Sequence, residues 1–157
     1  MAPRIITSRK IQLVGLKRTM SLSQNQTREL WQSFMPEWKA AGLPRTEFYS
    51  VEVYPEGYFA SFDPNKDFDK WAAVLDTADF PALETWDTLE VPAGLYAVFT
   101  YKGKSTEVHK MYQYIIGTWV PNSEYQLDNR PHMGIMGEKY RNDDPESEEE
   151  LWVPVKK

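Results

Sequence analysis

Cysteine is absent from the 157-residue chain, which leaves neither a disulfide framework nor a thiolate site and agrees with a reducing compartment. Histidine occurs only at His109 and His132. The pair lacks metal-ligand spacing, and Glu107 stands two positions from His109, where helical residues do not face each other. No metal site is expected, and both histidines read as surface or loop residues. No run of about 18 apolar residues exists and no signal-like apolar core opens the chain, so a soluble cytoplasmic protein without a membrane partner is expected. Basic residues are the minority, 18 Lys and Arg against 23 Asp and Glu. Phosphate-rich partners need clustered cations, so direct nucleic-acid binding is not expected. A Gly-rich phosphate loop, a G-x-S-x-G elbow and an H-E-x-x-H helix are also missing, and no cofactor is implied.

What is present is apolar and aromatic: 41% hydrophobic residues and 14% aromatic ones. That suffices for one ordinary core, hence one domain over residues 1–157. Extended structure is predicted over residues 4–20 from Ile5, Ile6, Ile11, Leu13, Val14 and Leu16. Leu30, Trp31, Phe34, Met35 and Trp38 fall at helical spacing, with Ser23 and Gln26 as a candidate capping box and Gly42 with Pro44 as the stop. Pro36 predicts a kink or restart, because proline removes a backbone donor. Strands are predicted at residues 48–54, with Tyr49, Val51 and Val53 on one face, and at 71–75, 86–91 and 95–101. Residues 76–84 read as loop. A second helix over residues 105–120 presents Val108, Met111, Tyr112, Ile115, Ile116 and Trp119 as its apolar face. A short strand at 133–136, an acidic loop and the strand 149–155 complete the chain.

Sliding the chain against itself by 81 residues gives an ungapped register. Val14 meets Leu95, Thr19 meets Thr100, Trp31 meets Tyr112, Trp38 meets Trp119, Asp63-Pro64 meets Asp144-Pro145, and Trp71 meets Trp152. With six tryptophans in the chain, two Trp-on-Trp matches argue for duplication. Each half, about 5–80 and 86–157, reads strand, helix, strand, strand. The expectation is an α+β domain of two such units: an antiparallel sheet, two main helices, and a central cleft where small molecules bind.

The last strand, Glu149-Glu150-Leu151-Trp152-Val153-Pro154-Val155, alternates with period two. Leu151, Val153 and Val155 share one face, and Glu150 shares the other with Trp152. An acid beside an indole suits either a solvated rim or a pocket for an apolar cation. Asp143, Asp144, Glu146, Glu148 and Glu149 read as a solvated acidic face.

Leu95-Tyr96-Ala97-Val98-Phe99, Tyr114-Ile115-Ile116-Gly117-Thr118-Trp119-Val120-Pro121, Arg130-Pro131-His132 and the last strand together resemble the GyrI-like small-molecule-binding superfamily. Its members include the effector-binding domains of AraC-type and MerR-type regulators. The resemblance covers nearly the whole chain and implies a bacterial, stand-alone effector-binding domain, since no basic helix-turn-helix segment is seen. It further implies an aromatic and acidic pocket for hydrophobic, often cationic compounds, as in multidrug binding. The pocket acid maps to Glu150, its aromatic partner to Trp152, and the helix aromatic to Tyr112. A second family glutamate is replaced by Gly134, in Pro131-His132-Met133-Gly134-Ile135-Met136. Trp38, Trp71, Trp119 and Met136 are further candidates for the lining. The function implied is binding rather than catalysis. The alternative is a hydrolase opening the cyclopropane ring of DNA-alkylating natural products, with Glu150 as general base. A protein partner such as gyrase, engaged through the acidic segment, is the weakest reading.

Overall fold

The computed structural model describes residues 2–42, 46–77 and 84–157. Pro44 and most of the loop expected at 76–84 lie outside the described residues. Among these, nine strands form one antiparallel sheet: β1 (Arg4–Ser8), β2 (Ile11–Ser21), β3 (Phe48–Val53), β4 (Asp67–Leu75), β5 (Asp87–Val91), β6 (Gly94–Lys102), β7 (Gln126–Leu127), β8 (His132–Met136) and β9 (Glu148–Lys156). Their order is β1-β6-β9-β8-β3-β4-β2-β5, with β7 added to β9. The helices are α1 (Thr27–Ala40) and α2 (Val108–Tyr114). The latter runs on through a π-helical stretch, Ile115–Trp119, into a last turn, Val120–Asn122.

The strand registers follow the 81-residue shift. In β2 and β4, Val14 pairs with Val74, Lys17 with Trp71 and Ser21 with Asp67. The shifted pairs, Leu95 with Val155, Val98 with Trp152 and Lys102 with Glu148, all occur in β6 and β9. Between the halves, Ile6 pairs with Tyr96 and, after the same shift, Asp87 with Gly15. One strand departs from this scheme. Val53 pairs with Asp69, which would place Gly134 opposite Glu150, yet Gly134 pairs with Leu151. A one-residue offset in β8 exchanges the faces on which its side chains meet β9.

Both helices cover the same face of the sheet. Under α1, Leu30, Phe34 and Trp38 pack on Val14, Ala72 and Val74, with Phe34 stacked 5.0 Å from Trp86. Under α2, Ile115 and Val120 pack on Ala97, Phe99, Leu151 and Val153. The opposite face has no helix. It buries Leu13, Tyr49, Val51, Trp71, Tyr96, Val98 and Met133 against one another. This is possible because β1 runs on into β2, and β5 into β6, after two residues each, so the chain ties the sheet's ends together and the sheet curls.

Three local expectations are revised. α1 passes through Pro36 unbroken, since the residue is exposed and water can reach the Gln32 carbonyl left without a donor. Gln26 is the N-cap and its side chain makes no capping bond, Asn25 Oδ1 accepting from the Thr27 N–H at 2.9 Å, while the Ser23 hydroxyl instead pairs with that of Ser21 at 3.2 Å. His132 is no surface residue: it is 3% exposed.

Candidate functional site

Between the two helices, the sheet's helix face is floored by residues that do not belong to an apolar core. Gly134 pairs with Ser50, whose other neighbour, Ala72, is the edge of the core under α1. One row along, His132 pairs with Glu52, and Glu52 with Lys70. Lys70 Nζ donates to Glu52 Oε1 at 2.8 Å, and both residues are below 10% exposed. The register dictates this ion pair, because directly opposed residues of neighbouring strands point to the same side. The second oxygen, Glu52 Oε2, is buried without a partner.

Glu149 enters the same space from β9. Its Oε2 lies 3.8 Å from where a Gly134 Cβ would be, so the carboxylate sits over the glycine floor. No described residue donates a hydrogen bond to it. Burial, and then the charge of Glu52, push its pKa up to about 7, with Lys70 opposing.

Tyrosines wall this centre. The Tyr112 hydroxyl of α2 is raised well above the ordinary tyrosine range by burial and then by Glu52, Glu149 and Tyr54. Tyr54 is raised likewise, by burial, Glu52 and Tyr58. Tyr101 and Tyr140 also feel Glu149, and both are raised chiefly by burial. The His132 ring meets Tyr54 edge-on at 5.1 Å and Phe59 at 5.7 Å. Burial and then Arg130 lower its pKa to about 3, so the imidazole is neutral. One surface hollow adjoins the centre, and another lies at the strand ends, where residues of the helix-free face line it. The first, about 400 Å³, lies between Tyr101, Glu107, Lys110, Met111 and Tyr114. The other, about 230 Å³, lies between Thr19, Val53, Tyr54, Pro55 and Phe68. Each shares with the charged centre a bordering tyrosine, Tyr101 or Tyr54.

The residues singled out from sequence are divided by the sheet. Tyr112, Gly134 and Met136 are on the helix face, Met136 beside Phe48. Glu150 is on the other face, where Arg4 Nη2 donates to its Oε2 at 2.8 Å and Trp152 Nε1 donates to its Oε1 at 3.2 Å. Trp152 lies 5.4 Å from Tyr96 there and packs against the cluster that holds Trp71. Trp38 and Trp119 are core residues beneath α1 and α2. Glu149, read as part of a solvated face, is instead half-buried on the helix face, over Gly134. Glu52, Lys70, Ser50 and His132 were not singled out as site residues, although the lysine of Asp69-Lys70-Trp71, followed by the apolar run 71–75, was a visible signal: a cation in a buried strand needs a partner.

Duplicated halves, helices on one face and an unpaired, half-buried acid between them define a small-molecule-binding α+β domain. The chain belongs to the GyrI-like family, the model of the GyrI-like small molecule binding domain matching residues 1–156. It is 25% identical to the transcriptional regulator BrlR of Pseudomonas aeruginosa over 99% of this chain, and spans 56% of that regulator's length. Its fold is similar to that of SAV2435 bound to tetraphenylphosphonium, with a TM-score of 0.70 and 17% identity over 99% of this chain and 94% of the other. A more distant likeness is to a hydrolase from Listeria innocua, with a TM-score of 0.60 and 10% identity over 99% and 92% of the two chains. Among the described residues no helix is long and apolar enough to cross a membrane, and no cluster of potential metal ligands occurs.

Proposed function

We propose that the domain binds hydrophobic, cationic aromatic compounds in the cleft between α1 and α2, with Glu149 as the acid that receives the charge. The observation that carries this reading is the unpaired Glu149 carboxylate over Gly134, held among Tyr112, Tyr101 and Tyr140 with a pKa near 7. A carboxylate partly withdrawn from water gains most from a partner that brings both charge and apolar surface. Aromatic walls stabilise the same cation through their ring faces. A tetraphenylphosphonium-bound structural neighbour supports the choice of ligand class. Calorimetry with tetraphenylphosphonium and with neutral triphenylphosphine oxide tests it. The cation binds the wild type more tightly, and Glu149→Gln weakens its binding about tenfold or more. Equal affinity for both compounds, unchanged by the substitution, overturns the reading.

A second reading is hydrolysis of a strained cyclopropane. Glu149 favours it, because a carboxylate with a pKa near 7 is suited to deprotonate water at neutral pH. Tyr112 would then hold the flat substrate. Mass spectrometry of such a cyclopropane compound incubated with the protein decides. Ring-opened product above the buffer rate, lost in Glu149→Gln, supports hydrolysis; its absence leaves binding alone.

A further inference from the structure

The cleft brings together three ionisable groups from three strands, Glu52 and Lys70 buried and Glu149 half-buried, and one of them is a cation. Lys70 Nζ lies 2.8 Å from Glu52 Oε1, each side chain 11% exposed. Glu149 feels both charges. With Glu149 ionised, as a bound cation would hold it, two acids and one ammonium leave a single negative charge to be met by a ligand. The ammonium cannot swing away to solvent cheaply, because its position opposite Glu52 is set by the β3 to β4 register and both residues are buried. Glu52 Oε2, buried and unpartnered beside Lys70, shows where a second cationic group would gain most were the lysine not there.

We infer that Lys70 is a specificity-determining residue that occupies the cleft as a built-in cation, so that the site takes singly charged ligands and rejects doubly charged ones. The inference rests on the cation-binding reading above and assigns its charge limit. In a water-poor cleft, like charges repel far more than in bulk solvent, so a second positive group next to Lys70 costs affinity instead of adding it. Removing the ammonium turns Glu52 into a second open acid, and the preference reverses. Removing both members of the pair restores a single negative charge and with it the original preference.

The test uses two triphenylphosphonium compounds of the same shape, one with a tert-butyl group at the end of its butyl tail and one with a trimethylammonium group there. Calorimetry on the wild type is expected to favour the singly charged compound about tenfold or more. In Lys70→Met the doubly charged compound becomes the tighter ligand, and in the double variant Glu52→Gln/Lys70→Met the singly charged one regains its lead. Equal affinities in the wild type overturn the inference even if Lys70→Met does not fold, and so does a folded Lys70→Met whose preference is unchanged. If neither compound binds the wild type, the cation-binding reading itself falls.

Discussion

Glu149 and Glu150 are consecutive on β9 and point to opposite faces of the sheet, Glu149 over Gly134 between the helices and Glu150 to Arg4 on the helix-free face. Their substitutions therefore separate. Glu150→Gln removes an ion pair whose arginine is 63% exposed, and is expected to cost at most about 1 kcal/mol. It leaves tetraphenylphosphonium affinity within about twofold, whereas Glu149→Gln lowers that affinity about tenfold. Titrating both variants side by side checks the pair, and the opposite ranking would return the ligand site to the other face.

Two glycines in the sheet respond differently to alanine. A Cβ on Gly134 meets Glu149 Oε2 and Ser50 at 3.8 Å, ordinary contact, so Gly134→Ala is expected to leave stability unchanged or raise it by about 0.5 kcal/mol. A Cβ on Gly15 overlaps the Ala72 carbonyl oxygen, which is backbone and cannot yield. Gly15→Ala is expected to cost about 3 kcal/mol. Urea midpoints of the two variants measure the contrast.

Much of this architecture was legible because local patterns agreed with tertiary demands. Tyr49, Val51 and Val53 alternate and share the helix-free face, Leu30, Phe34 and Trp38 keep helical spacing and lie under α1, and the 81-residue shift reappears in the strand pairing. The cleft was less legible. In the repeated register Gly134 would oppose Glu150, and only the one-residue offset of β8 turns it toward Glu149. No single-strand pattern encodes an offset between strands, since register depends on the neighbours' packing. The Glu52 to Lys70 pair was hidden for a related reason: the residues are distant in sequence and meet only once β3 lies against β4.

Gly117 lies in the π-helical stretch that follows α2, and nothing stands within 4 Å of its missing Cβ. Its φ is not positive, so alanine fits the backbone. Gly117→Ala is expected to stabilise by about 0.5–1 kcal/mol through helix propensity and lost freedom in the unfolded chain. The gain appears as a melting temperature about 1–4 °C higher by calorimetric scanning. A loss of stability would show that the wider turn needs glycine for its shape.

Half-buried Glu149 and buried His132 give opposite pH dependences to stability. Glu149 has a folded pKa of about 7 against an ordinary 4.5, so the folded state keeps a proton that the unfolded state releases. Its contribution is full below 4.5 and is lost as pH rises through about 7. His132 has a folded pKa of about 3 against an ordinary 6.5, so the unfolded state binds the extra proton. Its contribution is full above 6.5 and is lost as pH falls toward 3. Where these ranges overlap, from 4.5 to 6.5, the two slopes oppose each other and flatten the wild-type profile. Glu149→Gln removes only the falling branch, so relative to wild type its stability improves by about 2–3 kcal/mol as the pH is raised from acidic to slightly alkaline. His132→Gln removes the other branch and tilts the profile the opposite way. Urea unfolding across that pH range measures both tilts, and a Glu149→Gln profile parallel to the wild type would show that the carboxyl is already ionised in the acidic folded protein.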